Sequence, residues 1–263
     1  MPFLNKCTMI KRNKTGAPFP AQKGTGMKNE QTIGIIGAMA SEVEILTAKL
    51  QQADTAEIAG VMFHQGLLEG KRVVIAQCGI GKVCAAICAQ AMIDRYKVAA
   101  LINTGVAGGL HPSLAVGDIV ISTDAVQHDF DMTAFGYVKG YMGGGDGKTP
   151  TRYIADPGLI ANFKAAADEV LDQNKYIDGT IASGDVFVDD STLKKFLIQQ
   201  FGAAAAEMEG ASIAQVAAAN RVPFVVIRSI SDLAEHEATI SFEEFEKKAA
   251  EISSRIVLGM LRR

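Results

Sequence analysis

Residues 222–232 read Val-Pro-Phe-Val-Val-Ile-Arg-Ser-Ile-Ser-Asp, an apolar segment that ends in polar side chains. The uncharged part, Val222–Ile227, is far shorter than the ~20 residues that cross a bilayer, and its β-branched and aromatic residues predict a buried strand. Arg228 and Asp232 follow directly. Because ligands in α/β folds bind where strands end, this segment predicts both a central strand and one side of a binding site.

Predicted strands and helices alternate on both sides of this segment. The other strands are Thr32–Gly37, Val98–Asn103, Asp118–Ser122, Ile177–Ala182 and the hairpin of Val61–Leu68 with Arg72–Gln77. The helices are Ala40–Gln52 (with Ser41 in the N-cap region), Lys82–Arg95, Pro157–Gln173, Ser191–Gln200, Glu209–Asn220 and Ser241–Leu261. Alternating elements with one hairpin predict an α/β fold, a three-layer α/β/α sandwich with a mixed central sheet.

Two glycine-rich segments interrupt this alternation. Gly105–Gly109 follows a strand and predicts a loop, which serves either as a tight turn or as a close approach of the backbone to a ligand. Phe130–Pro150 carries six glycines and predicts a long loop, a kind of segment that is usually functional or disordered.

The charge of the chain is unevenly distributed. The formal net charge is −3, but residues 1–32 hold six lysines and arginines against Glu30 alone, so the remainder carries −8. An acidic body argues against nucleic-acid binding, which requires a basic face. We expect residues 1–31 to be a disordered basic extension and residues 32–263 to form one domain.

The four cysteines include three in apolar, alanine-rich segments, and no C-x-x-C spacing occurs. Small reduced core residues are the favoured interpretation, and a redox or metal pair is the alternative. No apolar run is long enough to span a membrane, and the first thirty residues lack a signal sequence. These features predict a cytoplasmic protein that does not enter a membrane.

Acidic residues lie at three predicted strand ends. Glu42 follows the first strand, Glu207 and Glu209 flank Met208 after Ala203–Ala206, and Asp232 follows Val222–Ile227. Helix capping is the alternative role for Glu207 and Glu209, and capping is also the alternative for Asp232. Together they predict one rim that carries Glu42, Glu209 and Asp232, with Arg228 close by.

A metal site is the alternative use of polar residues in this chain. His128, Asp129 and Asp131 offer three ligands, but no fourth ligand follows at a suitable spacing. We therefore expect neither a metal nor another cofactor.

The segments carrying these residues resemble a known enzyme family over most of the chain. The matching pieces are Gly34–Met39, Glu42-Val43, Gly79–Val83, Asn103–Leu110, Val116–Val120, Asp131–Tyr137, Ser183–Phe187, Glu207–Glu209, Val222–Val226, Arg228–Asp232 and Ser241-Phe242. In this order they resemble the 5′-methylthioadenosine/S-adenosylhomocysteine nucleosidase family of the purine nucleoside phosphorylase superfamily. The resemblance implies a nucleoside phosphorylase-like fold and hydrolysis of adenine thionucleosides in methionine salvage.

The resemblance also implies a role for each matching position. Asp232 would protonate N7 of adenine, and Glu42 would activate water near Arg228. The remaining implied substrate-binding residues are Glu209, Met208, Glu207, Ala107, Gly108, Phe187, Val188, Ser231, Phe242 and Met39. Met132 and Phe135 would reach into the pocket of a neighbouring subunit, so a homodimer is implied.

The chemistry requires acidic residues on both sides of the bond. Adenine leaves readily only as a neutral base, so an acid must protonate it, and carboxylates stabilise the positive charge that develops on the sugar. A carboxylate at Glu42 would repel phosphate, so hydrolysis is favoured over phosphorolysis. Two alternatives stay open: an aminofutalosine nucleosidase of the same fold, and a non-catalytic nucleoside-binding or storage protein.

Overall fold

A computed structural model describes residues 31–171, 175–234 and 238–263. The predicted basic extension therefore lies outside the described residues, apart from Gln31, and its disorder stays a prediction. Within the described part, no helix has both the length and the apolar character needed to cross a membrane.

The described residues form ten strands and six α-helices. The strands are β1 (Ile33–Gly37), β2 (Gln51–Ile58), β3 (Val61–Leu68), β4 (Lys71–Gln77), β5 (Ala100–Gly109), β6 (Ile119–Gln127), β7 (Tyr153–Ile154), β8 (Tyr176–Ser183), β9 (Ala203–Glu207) and β10 (Phe224–Asp232). The helices are α1 (Ala40–Thr47), α2 (Lys82–Tyr96), α3 (Pro157–Val170), α4 (Ser191–Phe201), α5 (Gly210–Asn220) and α6 (Ala238–Leu261).

The sheet is mixed and closes on itself at one end. β5 pairs in parallel with β1 and β10, while β10 continues through β6 and β8 to β9. β9 then returns to β5 through the antiparallel pairs Gly108↔Ala206 and Gly109↔Ala205, which completes a ring of five strands. On the other side of β5, the sheet extends through β1, β4, β3 and β2.

Helices cover both faces of this sheet. Neighbouring residues of the buried strands point to opposite faces, so Ile36 and Val226 pack with α2 and α5, whereas Ile35 and Val225 pack with α1, α3 and α6. Burying such side chains stabilises the fold by about 1.5–3 kcal/mol each. The α/β class and the mixed central sheet predicted from the sequence are confirmed.

Three local predictions were wrong. The helix that starts at Ala40 ends at Thr47, and the next residues form β2, an edge strand that is exposed on both faces and so lacks an alternating apolar pattern. Met39, not Ser41, is the N-cap of α1. The segment Gly105–Gly109 is the end of β5 rather than a loop.

Candidate active site

A cavity of about 320 Å³ opens at the carboxyl ends of β1, β5, β9 and β10. It is bounded by Ala38, Met39, Glu42, Ile80, Val106, Ala107, Gly108, Val186, Phe187, Val188, Ala206, Glu207, Met208, Glu209, Ser231, Asp232 and Phe242. The walls are mostly apolar, and a few carboxylates converge on them, as is typical of small-molecule sites. The three acids placed on one rim by the sequence thus share one cavity.

Glu42 is held by backbone N–H groups from two directions. Its Oε2 accepts hydrogen bonds from Ala38 N at 2.5 Å and Met39 N at 3.0 Å, and its Oε1 accepts one from Val106 N at 3.0 Å. Burial raises the pKa of Glu42, although the Arg228 charge and these three N–H groups oppose that shift. The carboxylate is therefore fixed in orientation, with its proton affinity set by the protein interior.

Glycines in β5 leave room for the two catalytic candidates. A Cβ on Gly105 would lie 2.4 Å from Glu42 Oε1, and one on Gly108 would lie 2.9 Å from Asp232 Oδ1. Neither distance is compatible with a side chain. The glycine-rich end of β5 thus brings its backbone close to carboxylates of the protein itself, an option that the sequence did not reveal.

Asp232 is the last residue of β10, and only 1% of its surface is exposed. A register shift between Ile230 and Asp232 places Asp232 opposite Gly108. Its Oδ1 accepts a hydrogen bond from Ala234 N at 2.8 Å, and its Oδ2 accepts one from Ser231 Oγ at 2.9 Å. Burial raises the pKa of Asp232 despite these hydrogen bonds, which is the direction of shift that a general acid needs.

Glu209 lies between β9 and α5, with its carboxylate facing a glycine loop. Its Oε1 accepts a hydrogen bond from Gly81 N at 2.8 Å, and its Oε2 lies 4.0 Å from Arg228 Nη2. Burial, together with the nearby Glu207 charge, raises the pKa of Glu209. Met208, its neighbour, lines the same cavity.

Glu207 and Arg228 form a buried ion pair beside the cavity. Arg228 Nη2 donates to Glu207 Oε2 and, at 2.5 Å, to Asn103 Oδ1. The Glu207 carboxylate also accepts hydrogen bonds from Ser183 Oγ and from the N–H of Gly210 at 2.7 Å. Glu207 lines the cavity, but its carboxylate is already hydrogen-bonded to other residues of the protein. Arg228, which was predicted to lie near the attacking water, does not line the cavity.

Two aromatic side chains form part of the cavity wall. Phe187 and Phe242 meet edge to face, with ring centroids 5.8 Å apart, and Phe187 is 41% exposed. Val188 lies beside them and is buried. A planar base could stack on such a wall, which agrees with the substrate-binding role that the resemblance implies for Phe187.

The cavity also includes five residues that the sequence did not single out as site residues: Ala38, Ile80, Val106, Val186 and Ala206. All five have apolar side chains, which do not mark a site in the sequence. Ala38 and Val106 do precede Met39 and Ala107, which the resemblance assigns to substrate binding. Met132 and Phe135 are absent from this cavity, and Phe135 is 71% exposed. Within the described residues, no group of acidic, histidine and cysteine side chains is arranged to hold a metal ion.

Comparison with known proteins identifies the family of the chain. The model of the phosphorylase superfamily matches residues 32–262. A 5′-methylthioadenosine/S-adenosylhomocysteine nucleosidase of Psychromonas ingrahamii is 46% identical over 226 residues, which cover 86% of this chain and 96% of that protein. The chain belongs to this nucleosidase family. A nucleosidase of Geobacillus thermodenitrificans is 45% identical over 228 residues, covering 86% of this chain and 94% of that protein.

Solved structures of nucleosidases share the fold. The enzyme of Colwellia psychrerythraea, in complex with adenine, has a TM-score of 0.82 and 46% identity, covering 88% of this chain and 94% of that one. The enzyme of Neisseria meningitidis, in complex with methylthio-immucillin-A, has a TM-score of 0.82 and 39% identity over 88% of this chain and 99% of that one. A futalosine hydrolase of Helicobacter pylori has a TM-score of 0.81 and 36% identity over 88% of this chain and 97% of that one.

Proposed function

We propose that this nucleosidase hydrolyses the N-glycosidic bonds of 5′-methylthioadenosine and S-adenosylhomocysteine, releasing adenine and the 5′-thio-substituted ribose. The observation that carries the proposal is that Glu42 and Asp232, two buried carboxyl groups on separate elements, line one cavity. The names of the relatives support the same substrates.

In the proposed mechanism, protonated Asp232 donates its proton to N7 of adenine as the bond to C1′ breaks. The base then leaves as a neutral molecule, and such general acid catalysis is typically worth about 10²–10⁴ in rate. The sugar develops positive charge, which the Glu42 carboxylate stabilises electrostatically, while Glu209 binds the ribose hydroxyls. Water attacks C1′ and transfers a proton to Glu42, whose three N–H donors hold its carboxylate in place.

Water rather than phosphate is the proposed nucleophile. Glu42 is 4% exposed, lines the cavity and accepts a hydrogen bond from Val106 N at its edge. Arg228, a cation that could attract phosphate, is paired with Glu207 and does not line the cavity. A dianion placed here would be repelled by the Glu42 carboxylate.

A futalosine-type substrate is the second candidate, because a futalosine hydrolase shares the fold at 36% identity. A storage or binding role is disfavoured, since Glu42, Glu209 and Asp232 are all present around the cavity. The test is adenine release from methylthioadenosine, S-adenosylhomocysteine and aminofutalosine, each with and without phosphate. We expect phosphate-independent release from the first two. Release that requires phosphate, or that occurs only with aminofutalosine, would contradict the proposal.

The proposal includes a homodimer located in the cytoplasm. Met132 and Phe135 do not line the cavity of their own chain, and the exposed Phe135 suits a contact with a second copy. The cysteines at positions 78, 84 and 88 are unpaired thiols, as expected in a reducing compartment.

A further inference from the structure

Three loops around the cavity are joined by a closed set of hydrogen bonds between charged residues. Lys82 N donates to Asp185 Oδ1 at 2.8 Å, Asp185 N donates to Asp129 Oδ2 at 2.9 Å, and Lys82 Nζ donates to Asp129 Oδ1 at 2.6 Å. We call Lys82, Asp129 and Asp185 the charged ring. Its members follow β4, β6 and β8, so the ring connects strand ends that are far apart in the sequence.

The ring holds segments that form the cavity. Gly81, next to Lys82, donates its N–H to Glu209 at 2.8 Å, and Ile80 lines the cavity. Asp185 is followed directly by Val186, Phe187 and Val188, which line the cavity. Lys82 therefore positions Glu209 through its neighbour Gly81, and Asp185 positions the residues proposed to bind the base.

The contacts of the ring are specific rather than incidental surface pairs. α2 has no side-chain cap of its own, and Asp185 caps it from another loop by accepting from Lys82 N. A Cβ on Gly81 would lie 3.0 Å from Asp185 Oδ1, so glycine allows this close approach. The side chains of Lys82 and Asp129 are only 18% and 23% exposed. Burial raises the pKa of Asp129, but the hydrogen bonds from Lys82 and Asp185 N outweigh it and leave that pKa lowered.

We propose that the charged ring is a positioning device, which holds the base-binding segment and Glu209 at the spacing that a nucleoside requires. This inference rests on the proposed function. Glu42 and Asp232 are fixed by other contacts, namely the N–H groups at residues 38, 39, 106 and 234. Loosening the ring therefore weakens contacts that substrate and transition state share, which raises KM and leaves kcat nearly unchanged.

Asp129→Asn tests the ring, because it removes the charge that Lys82 contacts while it preserves the shape of the side chain. We expect KM for methylthioadenosine to rise by roughly five- to twentyfold, as for loss of a charge-assisted hydrogen bond, with kcat within about twofold of wild type. Asp178→Asn is the matched control, since it removes an ion pair with Lys164 at 2.5 Å, from a residue that does not line the cavity.

A double-mutant cycle separates the pair from its single residues. Lys82→Met should raise KM by a similar factor, and combining it with Asp129→Asn should add little, because both substitutions break the same contact. Unchanged KM in Asp129→Asn, an equal loss of kcat, or an equal effect in Asp178→Asn would overturn the inference. Fully additive effects on KM would also overturn it.

If the wild-type protein does not cleave methylthioadenosine, the proposed function is rejected. Hydrogen exchange still tests the ring in that case. The amides of residues 79–82 and 183–188 should then exchange faster in Asp129→Asn than in wild type, whereas those of residues 224–232 should not. If both segments exchange at the same rate in Asp129→Asn as in wild type, the ring is not a positioning device.

Discussion

Gly105 lies directly against the carboxylate of Glu42, such that a Cβ at position 105 would be 2.4 Å from Glu42 Oε1 and 3.2 Å from Arg228 Nη1. The backbone of β5 thereby fixes where the proposed water-activating group sits. The next residue, Val106, donates its N–H to the same oxygen at 3.0 Å. Two consecutive residues of β5, Gly105 and Val106, thus provide the space and the hydrogen bond that orient Glu42.

Gly105→Ala should displace Glu42 and reduce catalysis. We expect kcat to fall by about 100-fold or more, because a shift of ~1 Å in a catalytic group can cost that much. Gly109→Ala, in the same strand, is the control, since its Cβ would meet Ile230 Cγ2 at a milder 3.1 Å. Steady-state kinetics of both variants would decide the point, and comparable activity in the two would contradict it.

Glu42→Gln should remove the proposed base while keeping the size of the side chain. We expect kcat to fall by about 10²–10⁴. The amide nitrogen of glutamine would also face N–H donors at Ala38 and Met39 or at Val106, so a loss of thermal stability should accompany the change. Glu44→Gln, on the exposed side of α1, is the control. Near-native kcat in Glu42→Gln would show that another group activates the water.

Asp232→Asn should change how the stability of the protein depends on pH. We expect the stability of the variant relative to wild type to increase from acidic to neutral pH. Burial raises the pKa of Asp232, so the folded protein binds this proton more tightly than the unfolded chain. Wild type therefore carries this stability fully below the unfolded pKa and loses it as pH rises through the raised value. Asparagine keeps an acceptor for Ala234 N and never ionises. Tm measured from pH 4 to 8 should diverge in favour of the variant, and parallel Tm curves would refute this.

Phe135→Ser should weaken self-association and recognition of the 5′ substituent. Phe135 is 71% exposed in one chain, and the resemblance places it in the pocket of a second copy. We expect sedimentation equilibrium to show more monomer, and KM for methylthioadenosine to rise by about tenfold, as for loss of a buried aromatic contact. Ile154→Ser, at an exposed apolar residue of β7, is the control. An unchanged dimer and KM would remove Phe135 from the site.

Much of this architecture could be predicted because buried strands have a strong pattern. Phe224–Ile227, the greater part of the predicted strand Val222–Ile227, is apolar throughout and begins β10, as expected for a strand that is covered on both faces. β2 escaped prediction because its residues Gln51–Ile58 are solvent-exposed on both faces, so no periodic signal marks them. The structure of an edge strand depends on its partner, β3, and not on its own composition.

The site was partly predictable for a similar reason. Asp232 and Glu42 stand out as acids at strand ends, which sequence patterns and the family resemblance both reveal. The position of Arg228 was harder to predict, because its partners Glu207 and Asn103 are remote in sequence and hold it away from the cavity. The charged ring depends in the same way on three loops meeting in space, and Asp129 had appeared only as a weak metal candidate.

The central claim is that Asp232 gives its proton to the leaving adenine. Single-turnover release of adenine from methylthioadenosine, in phosphate-free buffer, measures this step directly in wild type and Asp232→Asn. The account predicts a rate at least about 100-fold lower in the variant, with methylthioadenosine still bound at near-native affinity by calorimetry. Release at the native rate by Asp232→Asn would contradict the account.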